Sequence, residues 1–314
     1  MDIKLLLWLQ ELRGSFLDSI LLTVTDFVVS PVMYIFVAVL YWCFNKGAAT
    51  YLAMNLSFGM LVNQFLKNIF CVYRPWIRNS QVVPPEAAKE GATGYSFPSG
   101  HTQLAASEFL SIAHWQKKRI WIVCICIFMT LLVMFTRMYL GVHTLQDVLA
   151  SLLIAMVIIF ANAKLLQWVD GGNNRDVPVL IIGLVLTAAM LIFTALKPYP
   201  KDYTAEGALL VDPAHMITDC YAAAGCVSGF LVGWVLERRF IRFKTDVSGK
   251  VRFGRAIFGS VVLYVCATFL RDAMTNIHMN WGEFVFFFFA FVYILFIHPA
   301  IFTTVEKLAS KKNM

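Results

Sequence analysis

RIWIVCICIFMTLLVMFTRMYLGVHTLQDVLASLLIAMVIIFANAKLLQW, residues Arg119–Trp168, decides the fold class. It holds two apolar runs, 119–137 and 143–168, parted only by a short turn containing Gly141. Each approaches the length of about 20 apolar residues that a helix needs to cross a bilayer. Working outward, seven further runs read the same way: 18–43, 48–70, 100–115, 177–196, 214–236, 256–273 and 282–303. The first contains Asp18, Asp26 and Pro31, which places its initial half at the interface with a kink near the proline. The expectation is an all-α polytopic membrane bundle of about nine crossings: an interfacial segment (1–17), a core (18–168) and additional crossings (169–314).

Composition agrees. Of 314 residues, 59% are hydrophobic and 14% charged, with a mean hydropathy of +0.70. Soluble domains carry about 25% charged residues. The opening MDIKLLLWLQELRG has Asp2 and Glu11 and no small-residue cleavage site, so it reads as an amphipathic helix on the membrane surface rather than a signal peptide. The net charge of +7 gathers at the ends of apolar runs, above all in ERRFIRFKTDVSGKVRFGR (Glu237–Arg255). That is the signature of cytoplasmic loops, and no aromatic-interleaved basic groove points to nucleic acid. The seven cysteines lie mostly inside apolar runs, where they act as small hydrophobes, with no zinc-type spacing.

Against this background the ionisable residues at membrane depth stand out, because they are costly and usually functional. They fall in KNIFCVYRP (Lys67–Pro75), PSGH (Pro98–His101) and TRMYLGVHTLQD (Thr136–Asp147). With nine crossings and the chain start outside, 16 of the 26 Lys and Arg fall inside, and all three stretches end on the outer face. A single site requires that shared face.

Lys67 and Arg74 are seven apart, two turns on one face if the helix continued, but Pro75 biases Arg74 out of helical conformation. Lysine offers a compact charge and arginine a planar fork for phosphate oxygens; either alone is more often an interfacial cation. Gly100 lets backbone approach an anion at a helix start, Ser99 adds a hydroxyl and His101 is a candidate proton donor; alone, the string is a turn with a cap. His143 and Asp147 are four apart on one helix face, so the carboxylate can orient the imidazole, and Arg137 lies six residues earlier. A lone His–Asp pair is more often structural.

Together the stretches resemble the three signature motifs of the type-2 phosphatidic acid phosphatase superfamily, which includes lipid phosphate phosphatases, glucose-6-phosphatase and the vanadium haloperoxidases. Every spacing matches, and the one departure is Thr136, where the family usually has serine. The motifs cover 67–147, the surrounding likeness roughly 31–168, and segments six to nine lie outside the core pattern. The resemblance implies that His143 attacks phosphorus to form a phosphohistidine, that Asp147 orients it and that His101 protonates the leaving group. Lys67, Arg74, Ser99, Gly100 and Arg137 would hold the phosphoryl oxygens. It implies no metal and no cofactor, and no acidic cluster has metal spacing.

Glu108, two turns below His101, is a candidate support for the site, with Asn63 and Gln64 as polar neighbours of Lys67. Tyr95, Trp76 and the 74–98 loop are candidates for the entrance. His215, Asp212, Arg271 and His278 lack recognisable spacing, and His114 and His298 read as helix-end residues. The expected substrate is a lipid phosphate monoester or diphosphate, at the extracytoplasmic side of the plasma membrane. The count of crossings around the motifs resembles glucose-6-phosphatase and the sphingosine-phosphate phosphatases, which keeps a soluble sugar phosphate open. Phosphate transfer to another acceptor is the same chemistry. A transporter or scaffold that retains an inactive core is the rival of a different class.

Overall fold

The structure, a computed structural model, describes residues 2–92, 94–204 and 207–312. Its described secondary structure is helical, with one isolated bridge between Tyr203 and Leu209. The helices are α1 (Asp2–Glu11), α2 (Ser15–Val29), α3 (Pro31–Cys43), α4 (Lys46–Phe70), α5 (Pro75–Arg78), α6 (Glu86–Glu90), α7 (Gly100–Trp115) and α8 (Ile120–Tyr139). They continue with α9 (Leu145–Asp170), α10 (Asp176–Leu196), α11 (Pro213–Leu236), α12 (Gly249–Val265), α13 (Arg271–Ile277), α14 (Met279–Val292) and α15 (His298–Lys312). π-helical turns at Glu237–Ile241, Cys266–Leu270 and Tyr293–Ile297 follow α11, α12 and α14.

The chain is an all-α, multi-pass membrane protein. Six described helical segments are long and apolar enough to cross a bilayer: Ile120–Tyr139, Leu145–Asp170, Asp176–Leu196, Pro213–Ile241, Gly249–Ile277 and Met279–Lys311. A seventh follows if α2 and α3, interrupted at Ser30–Pro31, form one broken span. The break falls at the expected proline. The second and third of the nine expected crossings, α4 and α7, miss this standard for a physical reason. α7 has 16 residues, and both helices carry polar side chains that are buried: Asn55, Ser57, Asn63, Gln64, Lys67 and Asn68 on α4, and Thr102, Gln103, Ser107, Glu108 and Ser111 on α7. Polar groups at membrane depth are tolerated where protein rather than lipid surrounds them. By contrast, only 28–33% of the crossing windows of α8, α9 and α10 is buried, so their apolar side chains face outward.

Two compact units can be distinguished. The first comprises residues 1–30, 58–161 and 192–220. Within it α2 packs on α7 and α8, and Val28, Ala105 and Val133 form one apolar cluster. Leu21, Ala88, Ala92, Tyr139, Leu140 and Val142 form another. α1 buries Leu6 and Leu9, and Gln10 brackets the 81–83 segment, accepting from the Val83 amide (2.8 Å) and donating to the Gln81 carbonyl (3.1 Å).

The second unit comprises residues 31–57, 162–191 and 221–314. Its α11 approaches α14 closely along Gly225 and Gly229, where an added Cβ would meet the Phe284 and Phe288 carbonyls at 2.4 and 2.3 Å. Trp42, fully buried, donates from Nε1 to the Ile294 carbonyl (2.7 Å), a group inside the π-helical turn. Arg255 grips Glu306 with two nitrogens at 2.8 Å, so the basic 237–255 segment is partly pinned by internal ion pairs.

Candidate active site

The site grows from the end of α4, inside the first unit. The helix stops at Phe70 because Cys71 turns left-handed (φ 48°) while its amide still reaches the Lys67 carbonyl (3.1 Å). Lys197 caps the terminus, donating to the Asn68 and Ile69 carbonyls, a placement that suits a cation at the negative end of a helix. Lys67 and Arg74 therefore do not share one helical face. Arg74 is extended (ψ 154°), as the following proline demands, and stands immediately before α5.

That reversal aims the Arg74 guanidinium inward. Nε donates to the Gly94 carbonyl (3.1 Å), Nη1 donates to the Val142 carbonyl (3.1 Å), and the ring of Trp76 lies 5.7 Å away. The carbonyl of Gly94 is available because that residue is left-handed (φ +66°), a conformation glycine takes without strain. Burial pushes the Arg74 guanidinium down to about 10, with Asp147 and Asp219 opposing the shift, so it stays charged at neutral pH.

The second stretch opens α7. Ser99 caps the helix, its Oγ accepting from the Thr102 amide (3.4 Å). Its carbonyl accepts from Ser151 Oγ (2.9 Å) and Asn63 Nδ2 (3.4 Å), and its amide donates to the Asp147 carbonyl (3.3 Å). The helix start is thereby tied to both α4 and α9. A Cβ built on Gly100 would lie 3.8 Å from Lys67 Nζ, which places that ammonium at the mouth of α7. His101 is half-buried and lies within electrostatic reach of Arg137, His143, Lys67 and Arg74.

The third stretch closes the ring. Arg137, 1% exposed in the last turn of α8, donates from Nη1 to Thr25 Oγ1 (3.4 Å), while its Nε and Nη2 have no protein partner. A left-handed Gly141 (φ +73°) turns the chain so that the Val142 and His143 amides fold back onto the Arg137 carbonyl (3.1 and 3.2 Å). Asp147 and Thr144 then cap each other at the start of α9: Asp147 Oδ2 accepts from the Thr144 amide (2.8 Å) and Thr144 Oγ1 from the Asp147 amide (3.4 Å). The Thr136 hydroxyl donates to the Val133 carbonyl (2.7 Å) of its own helix, so threonine fills this position with its hydroxyl already occupied.

His143 is held from both ring nitrogens. Nδ1 lies 3.4 Å from Asp147 Oδ2, and Nε2 lies 2.9 Å from Arg74 Nη1. Guanidinium only donates, so Nε2 must accept and the ring proton belongs on Nδ1, toward the carboxylate. The same Asp147 oxygen accepts a 2.6 Å hydrogen bond from Ser96 Oγ. Sequence reasoning missed Ser96: nothing in its local pattern marks it, and the Ser96 amide reaches the Val72 carbonyl (2.7 Å) only once the loop folds back. It also missed Thr25 and Ser151.

All eight residues expected at the site lie in this one unit, and four of them (Lys67, Arg74, Arg137 and His143) are within electrostatic reach of His101. Glu108 is buried deeper on α7, with Oε2 lacking a partner. The other unassigned polar residues have local duties. Asp212 accepts from the Ala214 amide (2.9 Å), Arg271 pairs with Glu283 (2.9 Å), and His278 Nδ1 accepts from the Trp281 amide (3.3 Å). His298 packs on Trp42 with its Nε2 3.0 Å from the Arg255 carbonyl. Among the described residues no three His, Cys, Asp or Glu side chains converge as metal ligands would.

One wall comes from beyond the three stretches. Tyr199 donates to Asn68 Oδ1 (2.5 Å), Tyr73 donates to the Asp202 carboxylate, Met216 Sδ accepts from the Tyr95 amide (3.3 Å), and Asn68 Nδ2 donates to Cys220 Sγ (2.9 Å).

Comparison with known proteins gives the family. Residues 48–170 match the PAP2 superfamily, and residues 221–311 match the transmembrane extension of PAP2 superfamily phosphatases. Sphingosine-1-phosphate phosphatase 1 of Mus musculus is 28% identical over 193 residues, and that of Rattus norvegicus 30% over the same length, each match taking in 58% of this chain. The chain spans 43% of the length of these mammalian relatives. The undecaprenyl-diphosphatase BcrC of Bacillus subtilis is 28% identical over 153 residues, 47% of this chain and 74% of that protein. No solved structure matches. Because the 48–170 match contains all three charged stretches and the 221–311 match takes in the helices that follow the site, the chain belongs to the PAP2 superfamily.

Proposed function

We propose that this protein is an integral-membrane phosphatase that hydrolyses a lipid phosphate monoester or diphosphate through a phosphohistidine, on the outer face of the plasma membrane. The observation that carries the reading is the His143 ring, with Nδ1 toward Asp147 and its Nε2 lone pair toward the Arg74 fork. A phosphoryl group bound by Arg74 stands in front of that lone pair.

In the first step Nε2 of His143 attacks phosphorus, the bond to the leaving oxygen breaks, and His101 gives that oxygen its proton. Asp147 stabilises the positive ring that forms and keeps Nδ1 protonated. In the second step water attacks the phosphohistidine, loses its proton to His101, and the P–N bond breaks to release phosphate. Lys67, Arg74, the two open nitrogens of Arg137 and the amides at the start of α7 neutralise the equatorial oxygens, with Ser99 and Gly100 shaping that start. Such prearranged donors are worth most in a water-poor site. No metal is assigned a part, since fixed cations can supply the charge that magnesium supplies in other phosphoryl-transfer enzymes.

The lipid nature of the substrate is supported by the site's place at the ends of membrane helices and by the relatives, a sphingosine-1-phosphate phosphatase and an undecaprenyl-diphosphatase. Outer-face placement is supported by the distribution of Lys and Arg.

The test is phosphate release by purified protein from a panel of lipid and sugar phosphates, beside His143→Ala. Release from the lipids by wild type alone is expected. Equal release by the variant would overturn the mechanism, and activity confined to sugar phosphates would replace the lipid by a soluble substrate. Labelling of a cysteine introduced in the 76–97 loop from the cytoplasmic side only would reverse the sidedness.

A further inference from the structure

The cradle is not uniformly positive. Two carboxylates from outside the three motif stretches, and outside the 48–170 match, stand beside its cations. The first is Asp219. Met216, Asp219 and Cys220 are three and four residues apart and so share one face of α11. Met216 takes the Tyr95 amide on its sulfur (3.3 Å), and Cys220 meets Asn68, the neighbour of Lys67, at 2.9 Å. Asp219 lies between these two anchors, within electrostatic reach of both Lys67 and Arg74. The second is Asp26. Its neighbour Thr25 accepts the Arg137 hydrogen bond at 3.4 Å, which brings the Asp26 carboxylate into electrostatic reach of Arg137. Asp147 and Asp219 thus act electrostatically on Lys67 and Arg74, and Asp26 on Arg137.

We infer that Asp219 and Asp26 are specificity-determining residues that lower the net positive charge of the cradle, fitting the site to the dianion of a lipid phosphate monoester rather than the more highly charged head of a diphosphate. The physical reason is direct. Each added ligand charge gains attraction from the buried cations and repulsion from the carboxylates, more from the half-buried Asp219 than from the exposed, solvent-screened Asp26. The arrangement comes from α2 and α11, two helices whose lining of the site is not visible in the motif spacings. This inference rests on the phosphatase reading above and selects between its two substrate classes.

The test compares the full-length protein with Asp219→Asn, Asp219→Glu and Asp26→Asn, using a long-chain sphingoid-base phosphate and a polyprenyl diphosphate. Wild type is expected to favour the monoester in kcat/KM. Asp219→Asn should move that ratio about fivefold toward the diphosphate and the exposed Asp26→Asn about twofold, mainly through KM, and Asp219→Glu should hold it near the wild-type value. Equal loss on both substrates, or a ratio that Asp219→Glu shifts as far as Asp219→Asn does, would reduce Asp219 to packing and overturn the inference. Asp26 is exposed, so its variant decides the matter should Asp219→Asn fail to fold. Competition between pyrophosphate and orthophosphate, read as thermal stabilisation of each variant, tests the charge claim without turnover. If wild type releases no phosphate from either lipid, the phosphatase reading fails, while a shift toward pyrophosphate in the Asn variants still upholds the charge claim and no shift overturns it.

Discussion

Arg74 and His143 meet at 2.9 Å, guanidinium nitrogen to imidazole Nε2, although 69 residues separate them in the chain. The contact joins the proposed phosphate-binding fork to the proposed nucleophilic atom, and it leaves the imidazole in the tautomer that such an attack requires. The same guanidinium is held by two backbone carbonyls, Gly94 and Val142, so its direction belongs to the fold rather than to a flexible side chain.

Arg74→Lys tests that geometry. Lysine keeps one charge but cannot hold two carbonyls and face Nε2 at once. A fall in kcat/KM of about 100-fold is expected, with a lower melting temperature because a buried carbonyl left without its donor costs about 1–3 kcal/mol, measured by phosphate release and by thermal unfolding. Retention of most activity would show that charge alone suffices.

Asp147→Asn removes the acceptor that keeps the His143 proton on Nδ1, while preserving shape. Loss of kcat of about 10³-fold or more is the expected outcome, because the wrong tautomer buries the attacking lone pair. Asparagine can still accept from the Thr144 amide, so the unfolding midpoint should fall by less than a loss of about 1 kcal/mol would give.

Ser96→Ala strips one hydrogen bond from the Asp147 carboxylate and leaves the rest of the site in place. A bond to a charged group is worth about 1.5–3 kcal/mol, so a kcat loss of roughly 10–100-fold follows if the bond serves the reaction. KM should hardly move. A variant with wild-type kcat would confine Ser96 to packing.

Gly94→Ala forces a side chain into a left-handed residue (φ +66°) and toward Met216, whose Cγ lies 2.4 Å from the new Cβ. A destabilisation of about 1–3 kcal/mol is expected, together with lower activity as the carbonyl holding Arg74 moves. By contrast, Thr136→Ser should be close to neutral in both assays, because the hydroxyl already bonds within its own helix.

Prolonged treatment with a metal chelator should leave phosphate release unchanged if the fixed cations carry the charge alone. Activity that falls with chelation and returns with magnesium would assign the metal a part.

The sequence by itself determined the membrane class and the three charged stretches, because both rest on local patterns. Apolar runs of bilayer length and fixed motif spacings survive whatever the rest of the chain does. It also located the break at Pro31 and the extended backbone at Arg74, since proline acts on its immediate neighbours. What only the tertiary structure decided is how those stretches are completed. The last carbonyls of α4 are capped by Lys197, from more than a hundred residues away. α4 and α7 can be short or polar because other helices bury them, which hydropathy cannot register. Ser96, Thr25, Asp26 and Asp219 reach the site from a loop and two outlying helices. Their positions depend on long-range packing that carries no periodic signature, so the motif stretches were legible in advance and these neighbours were not.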